Sequence, residues 1–247
     1  MNRNRFAVLS VALVLAAAPV RADDARAVVE KALKAHGGAE TLAKFPAVTV
    51  GFKGTFHGMG QEIPMTGQVT SQGVDRIKMD MEIEAGGQKI RVVNVITKDA
   101  GWTKVADNLM ELGKDQLAEG LAQAHAGYVA TLVPLKDKAY TLASTGEIKV
   151  NEKPAVGVKV STKGQRDVTL YFDKESGLLV KSEHLVKDEG SGQEVQEETF
   201  YADYKEVQGT KQAMKFKVNR DGKLFMEGEA TEYHLSEKLD DNTFAKP

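Results

Sequence analysis

From Ile77 to Glu84 every odd position is apolar and every even one charged: Ile77-Lys78-Met79-Asp80-Met81-Glu82-Ile83-Glu84. Such alternation separates onto two faces only in an extended chain; a helix would spread it round its circumference. Val48, Val50, Phe52 and Phe56 alternate in the same way with Thr49, Gly51, Lys53 and Thr55. Further extended stretches are expected over 90–97, 102–105, 109–112, 139–143, 148–150, 155–162, 167–173, 178–187, 194–204, 214–219 and 224–235. Turn chemistry separates them. Gly86-Gly87 and Asp221-Gly222 are two-residue hairpin signals, because both central positions of a type I′ turn need a positive φ. About a dozen strands in sequential antiparallel hairpins result.

The pattern turns helical twice. Over 24–36, Val28, Val29, Ala32 and Leu33 form one stripe, with Asp23 and Asp24 at the start and Gly37-Gly38 at the end. A short further turn over 39–45 stops before Pro46. Over 114–132, Leu117, Leu121, His125, Tyr128 and Leu132 share a stripe that Pro134 terminates. Gly120 and Gly127 each weaken that helix by about 1 kcal/mol relative to Ala, which suits a moving part. For His125 a core or rim histidine bonded to backbone is a simpler role than a pH latch.

The chain begins with Arg3 and Arg5, an apolar run from Phe6 to Leu15, and Val20-Arg21-Ala22. That order is a secretory signal peptide over 1–22, too short for a spanning helix, followed by a single domain over 23–247. Three arginines and no acid leave with it, so 30 Lys+Arg face 35 Asp+Glu, a net charge of −5 against −2 for the 247-residue chain. A mildly acidic surface excludes a general nucleic-acid binder. The absence of cysteine excludes a thiol nucleophile and a lipid-bearing Cys, so an unanchored, soluble, periplasmic protein is expected.

Candidate chemistry is sparse. His36, His57, His125, His184 and His234 show no His-Glu-x-x-His spacing, and there is no Gly-x-Ser-x-Gly elbow. Neither an enzyme nor a metal or cofactor site is expected. The strand count itself carries more. Eight strands make a barrel that side chains or one small ligand can fill, and about twelve leave more room than one Trp, nine Phe and six Tyr occupy. Met79 and Met81, alternating with Ile77 and Ile83, make one apolar wall of adaptable side chains. Core filling is the commoner role for any single methionine, and the geometric argument weighs more.

The similarity to known proteins is sharpest C-terminally, in Leu170-Tyr171-Phe172-Asp173-Lys174-Glu175-Ser176-Gly177-Leu178, in Phe200-Tyr201-Ala202-Asp203-Tyr204-Lys205-Glu206-Val207-Gln208-Gly209, and in Leu239-Asp240-Asp241-Asn242-Thr243-Phe244-Ala245-Lys246-Pro247. With these segments the chain resembles the outer-membrane lipoprotein-sorting carriers, the LolA/LolB-like superfamily. It departs from them in its length and in having Ala213 where relatives often have Pro, and no position matches the shuttle's lid-locking arginine. The resemblance implies a mainly β fold, a large unclosed antiparallel barrel of about 11–12 meandering strands with two plugging helices. It also implies an acyl-chain cavity. Its expected lining is Met79, Met81, Ile83, Val92, Trp102, Phe172 and Phe216, with Leu117, Leu121, Tyr128 and Leu132 on the lid helix.

The implied function is carriage of lipoprotein or lipid to the outer membrane by a monomer that meets inner- and outer-membrane acceptor proteins in turn. The alternative is a lipid- or lipoprotein-sensing module that signals to a membrane-protein partner. Burying 15 methylenes gives a gross gain of roughly 12 kcal/mol, enough to extract a lipid and too much to release it unless a lid offsets part.

Overall fold

A computed structural model describes residues 22–58, 60–188 and 190–247. The expected signal peptide lies, apart from Ala22, outside the described residues. Helices α1 (Ala22–Ala35) and α2 (Ala39–Lys44) lead into six consecutive strands. These are β1 (Ala47–Phe56), β2 (Ile63–Gln72), β3 (Ile77–Ala85), β4 (Gln88–Ile96), β5 (Gly101–Val105) and β6 (Asn108–Glu111). Helix α3 (Lys114–Ala130) and a 3-10 turn (Val133–Lys136) follow. Seven more strands complete the sheet: β7 (Thr141–Val150), β8 (Lys153–Ser161), β9 (Val168–Asp173), β10 (Leu179–Lys187), β11 (Glu194–Val207), β12 (Thr210–Arg220) and β13 (Lys223–Ser236). A second 3-10 turn spans Asp241–Phe244.

All thirteen strands form one antiparallel sheet in the order β6-β5-β4-β3-β2-β1-β13-β12-β11-β10-β9-β8-β7. The sheet is not closed. Its centre is a seam between the first strand and the last, with Phe52 opposite Ala230 and Gly54 opposite Gly228. Two wings extend from this seam, β1–β6 on one side and β7–β13 on the other. The chain leaves the first wing at its outer edge and resumes at the opposite outer edge, so α3 has to cross the sheet. Seventeen residues of helix span about 25 Å.

The extended stretches expected at 139–143 and 148–150 are one strand, β7, whose alternation is broken by a bulge between Ser144 and Gly146, where Gly146 has φ 89°. Strand β2 has no counterpart among the expected stretches. Its inward positions Ile63, Met65, Gly67, Val69 and Ser71 mix apolar residues with Gly and Ser, so no clean alternation marks it. The strand total is therefore thirteen, slightly above the expected number. The hairpins at Gly86-Gly87 and Asp221-Gly222 do form with both central φ positive, and so does one at Asn151-Glu152.

The main core fills the second wing. Ala25, Val29, Ala32 and Leu33 of α1 and Ala126 and Val129 of α3 pack there on Leu142, Val158, Val160, Val168, Leu170 and Phe172. A smaller cluster lies on the outer face of the first wing. There Phe244 of the C-terminal segment covers Val93 and Val95, beside Trp102 and Leu239. Arg76 anchors this segment through Asp241 at 3.0 Å, and Gln72 accepts the Leu239 N–H at 2.9 Å.

The seam is unusually close-packed. A Cβ at Gly228 would meet the Lys53 carbonyl, the Gly54 Cα and the ring of Phe216. We expect Gly228→Val to destabilise the fold by about 1–3 kcal/mol through overpacking, read as a lowered urea midpoint at unchanged slope.

Candidate functional site

Registered pairs show which residues share the inner face, the one α3 crosses. One transverse row runs Ile90–Ile83–Met65–Gly54–Gly228–Phe216–Tyr201. A second runs Val92–Met81–Gly67–Phe52–Ala230, and a third contains Met79, Val69, Val50 and Tyr233. Bulky apolar side chains flank Gly54 and Gly228 in the first row, and buried Phe52 stands between Gly67 and Ala230 in the second. The inner face from the first wing across the seam is thus an apolar trough, lowest at Gly54 and Gly228. Met79, Met81, Ile83, Val50, Val69, Ile90 and Phe216 keep intermediate exposure, and none of them joins a buried core cluster.

Helix α3 bridges the wings above this trough. Its N-terminal half rests on the first wing, where Leu117 reaches Gly101 and Ile96 packs directly onto Gly120. A Cβ at Gly120 would collide with Ile96, so this glycine permits a close approach as well as weakening the helix. The C-terminal half enters the core of the second wing through Ala126 and Val129. Glu119 holds the outer side. Its carboxylate accepts from Arg166 Nη1 at 2.8 and 3.0 Å and from the Lys187 backbone N–H at 2.9 Å. Burial raises the Glu119 pKa, but these donors outweigh it and hold the carboxyl below its ordinary value.

The structure brings Met79, Met81, Ile83, Val92 and Phe216 together on the trough wall. Leu117, Leu121 and Tyr128 lie half-buried on α3. Three other expected lining residues sit elsewhere. Trp102 pairs with Val95 and faces outward under the C-terminal segment, because the odd positions of β4 and their partners point away from α3. Phe172 and Leu132 are sealed in the core of the second wing, each 1% exposed. Leu132 lies beyond the end of α3, with φ 66° at the entry to the 3-10 turn.

Polar groups collect at the end of the inner face where β10 finishes and β11 begins. Arg220 Nε donates to Glu197 at 2.8 Å, and His184 Nε2 stands 3.8 Å from the other Glu197 oxygen. His125 of α3 is buried and stacks on Tyr140 with centroids 5.8 Å apart and planes inclined by 6°. Its Nε2 has no hydrogen-bond partner among the described residues. Burial lowers the pKa of both His125 and His184, and each is disfavoured as a cation for a second reason. His184 lowers that of His125, and Arg166 and Arg220 oppose charging of His184 against the pull of Glu197 and Glu119. None of these residues forms a readable motif: Glu119 and Arg166, 47 positions apart, carried no signal in the chain.

A groove of about 670 Å³ also crosses the seam, lined by Gly54, Met65, Phe216 and Gly228 of the first row together with Lys53 and Glu229. Its rim carries Lys53, paired with Glu229 at 2.8 Å, and Lys215, which reaches Asp203 at 2.6 Å, with lysine exposures of 59% each. Among the described residues, no three His, Asp or Glu converge as a metal site, and no helix is long and apolar enough to cross a membrane.

No family model matches the chain, and no curated protein matches it in sequence. Its fold has clear relatives among solved structures. A domain assigned to outer membrane lipoprotein sorting from Vibrio parahaemolyticus aligns at TM-score 0.56 and 12% identity, covering 92% of this chain and 98% of that one. A DUF1329 family protein from Desulfovibrio piger aligns at 0.57 and 11%, covering 90% and 97%. A LolA superfamily protein from Nitrosomonas europaea aligns at 0.53 and 14%, again covering 90% and 97%. The unclosed barrel with helices against its inner face is therefore a fold shared with these proteins.

We expect the seat of α3 to loosen in acid. An imidazole whose pKa is depressed in the seated state takes up protons more readily once released, so seating weakens as pH falls below about 6.5. The depressed Glu119 carboxyl acts in the same direction at lower pH. Hydrogen exchange of α3 amides, corrected for intrinsic rates, should accelerate between pH 7.5 and 5.0 relative to β8–β10. His125→Gln should flatten that response.

Proposed function

We propose that the protein is a soluble periplasmic carrier, one domain over residues 23–247, that holds the acyl chains of a lipoprotein or lipid in the trough beneath α3. The observation that carries this reading is the uneven burial of one continuous inner face. The second wing is filled by α1 and α3, and the first presents half-buried Met79, Met81 and Ile83, beside buried Met65, Phe52 and Val92, to a space no core cluster fills. Contiguous apolar surface of this kind marks a binding site. Flexible methionines let its wall adapt to chains of different shape.

The helix supplies reversibility. Enclosing an acyl chain releases about 0.8 kcal/mol per methylene, and a ligand that displaces α3 gives back the contacts α3 made. Seated on small residues and clipped at its rim by the Glu119–Arg166 pair, α3 can be lifted at limited cost. Partial enclosure then leaves affinity low enough for release to an acceptor at the outer membrane. A sensing module would use the same trough, but its output would be a changed affinity for a protein partner. The fold relative assigned to lipoprotein sorting favours the carrier.

Native mass spectrometry of protein purified from its own periplasm should show co-purifying acyl lipid. Met81→Asp, which places a carboxylate on the trough wall, should lower binding of a fluorescent fatty-acyl probe at least tenfold without changing the unfolding midpoint by more than a few degrees. A second measurement reports the lid. The chain lacks cysteine, and nothing lies within 4 Å of a Cβ at Gly127. Spin labels at Gly127→Cys and the exposed Leu109→Cys should move apart on saturation with lipid. An unchanged distance, or an apolar space that stays empty, would sink the carrier reading.

A further inference from the structure

The inner row of β12 reads Met214, Phe216, Val218, Arg220, so an apolar track along that strand ends in a guanidinium. Arg220 is on the inner face because it is registered opposite Glu197, which is itself opposite His184. Its position is fixed twice. Nε donates to Glu197 at 2.8 Å, and the guanidinium carbon lies 3.7 Å from the centroid of the Phe225 ring, which in turn meets Phe56 edge-on at 4.9 Å. Guanidinium offers five N–H donors. One is used, and the Nη1 and Nη2 groups have no partner among the described residues.

The acceptors at this end are already engaged. Glu197 takes the Arg220 Nε–H, Glu119 takes Arg166 and the Lys187 N–H, Glu194 pairs with Arg166 at 3.2 Å, and Asp188 accepts from the Ser191 N–H and hydroxyl at 2.8 and 2.7 Å. Among the described residues, the Nη edge of Arg220 is the planar donor fork left over on the inner face. Arg166, Arg220 and Lys223, the last registered opposite Arg220, stand against Glu119, Glu194, Glu197, Asp188 and Asp221, and burial disfavours the charged form of His125 and His184. The local field is therefore negative and opposes an anionic head group, while a fork of unused N–H groups calls for oxygen acceptors.

We propose that Arg220 is the head-group anchor of the trough and that it selects an uncharged acyl ester over a free carboxylate or phosphate. This inference rests on the acyl-carrier reading and names the ligand class of the same site. The acyl chain lies along the apolar rows, and the ester or glycerol oxygens at its head take the Nη1 and Nη2 protons of Arg220. Glu197 and Phe225 hold the fork in place before the ligand arrives.

The test compares three ligands with one sixteen-carbon chain, a monoacylglycerol, a fatty acid and a fatty alcohol, by displacement of a fluorescent acyl probe at pH 7.5. The wild-type protein should bind the monoacylglycerol about tenfold more tightly than the fatty acid, in line with hydrogen bonds to a charged donor. Arg220→Lys keeps the charge beside Glu197 but loses the planar fork. It should reduce that ratio to less than about threefold while leaving the alcohol's affinity unchanged. The double variant Arg220→Gln/Glu197→Gln, which leaves no unpaired buried charge, should behave alike. A fatty acid that binds best, or a ratio that survives both variants, would overturn the assignment and leave the carrier reading standing. Failure of all three ligands to displace the probe from the wild-type protein would remove both.

Discussion

The molecule is organised by the pairing of its first strand with its last. Because β1 and β13 meet in the middle of the sheet, the two free edges belong to strands adjacent in sequence, β6 and β7. The connection between them must span the width of the sheet, and the short, polar loops that join the other strands cannot do so. A helix bridging the inner face is the solution the topology requires. That helix belongs to neither wing and to both. Its first half rests on Ile96 and Gly101, its second on the core around Val129.

From this constraint follows the asymmetry of the interior. α1 and the second half of α3 supply enough side-chain volume to bury Leu170 and Phe172 completely, but only on one side of the seam. The first wing receives just the narrow first half of α3, on a glycine. Its outer face is covered instead, by Phe244 and the C-terminal segment. A sheet with one wing packed on the inside and the other packed on the outside has an apolar inner wall left over.

Much of this was legible along the chain. The alternation over 77–84 is β3 as read, and the two-residue turns formed where Gly86-Gly87 and Asp221-Gly222 stand. What the chain could not show was which layer covers which face. Trp102 and Phe172 alternate as regularly as Met81 does, but the C-terminal segment covers the first and α1 with α3 seals in the second. Period two sorts residues into two sets and is silent on which set meets the ligand side. The polar cluster escaped for a different reason. Glu119, Arg166, His184, Glu197 and Arg220 come from four separate elements and the loop before β9, and no spacing rule links them. β2 escaped because Gly67 blurs the periodicity that would have marked the strand.

The central seam bears on how the chain reaches this state. Neighbouring hairpins can zip from local contacts, but β1 waits for a partner made some 180 residues later, and Arg76 for Asp241. Contacts so distant in sequence make for slow, late consolidation. Until the final strand arrives, the N-terminal half is a six-stranded ribbon with an unpaired β1 edge and its apolar inner face in water. Biogenesis, more than the finished fold, is where this molecule most needs protection from its own kind.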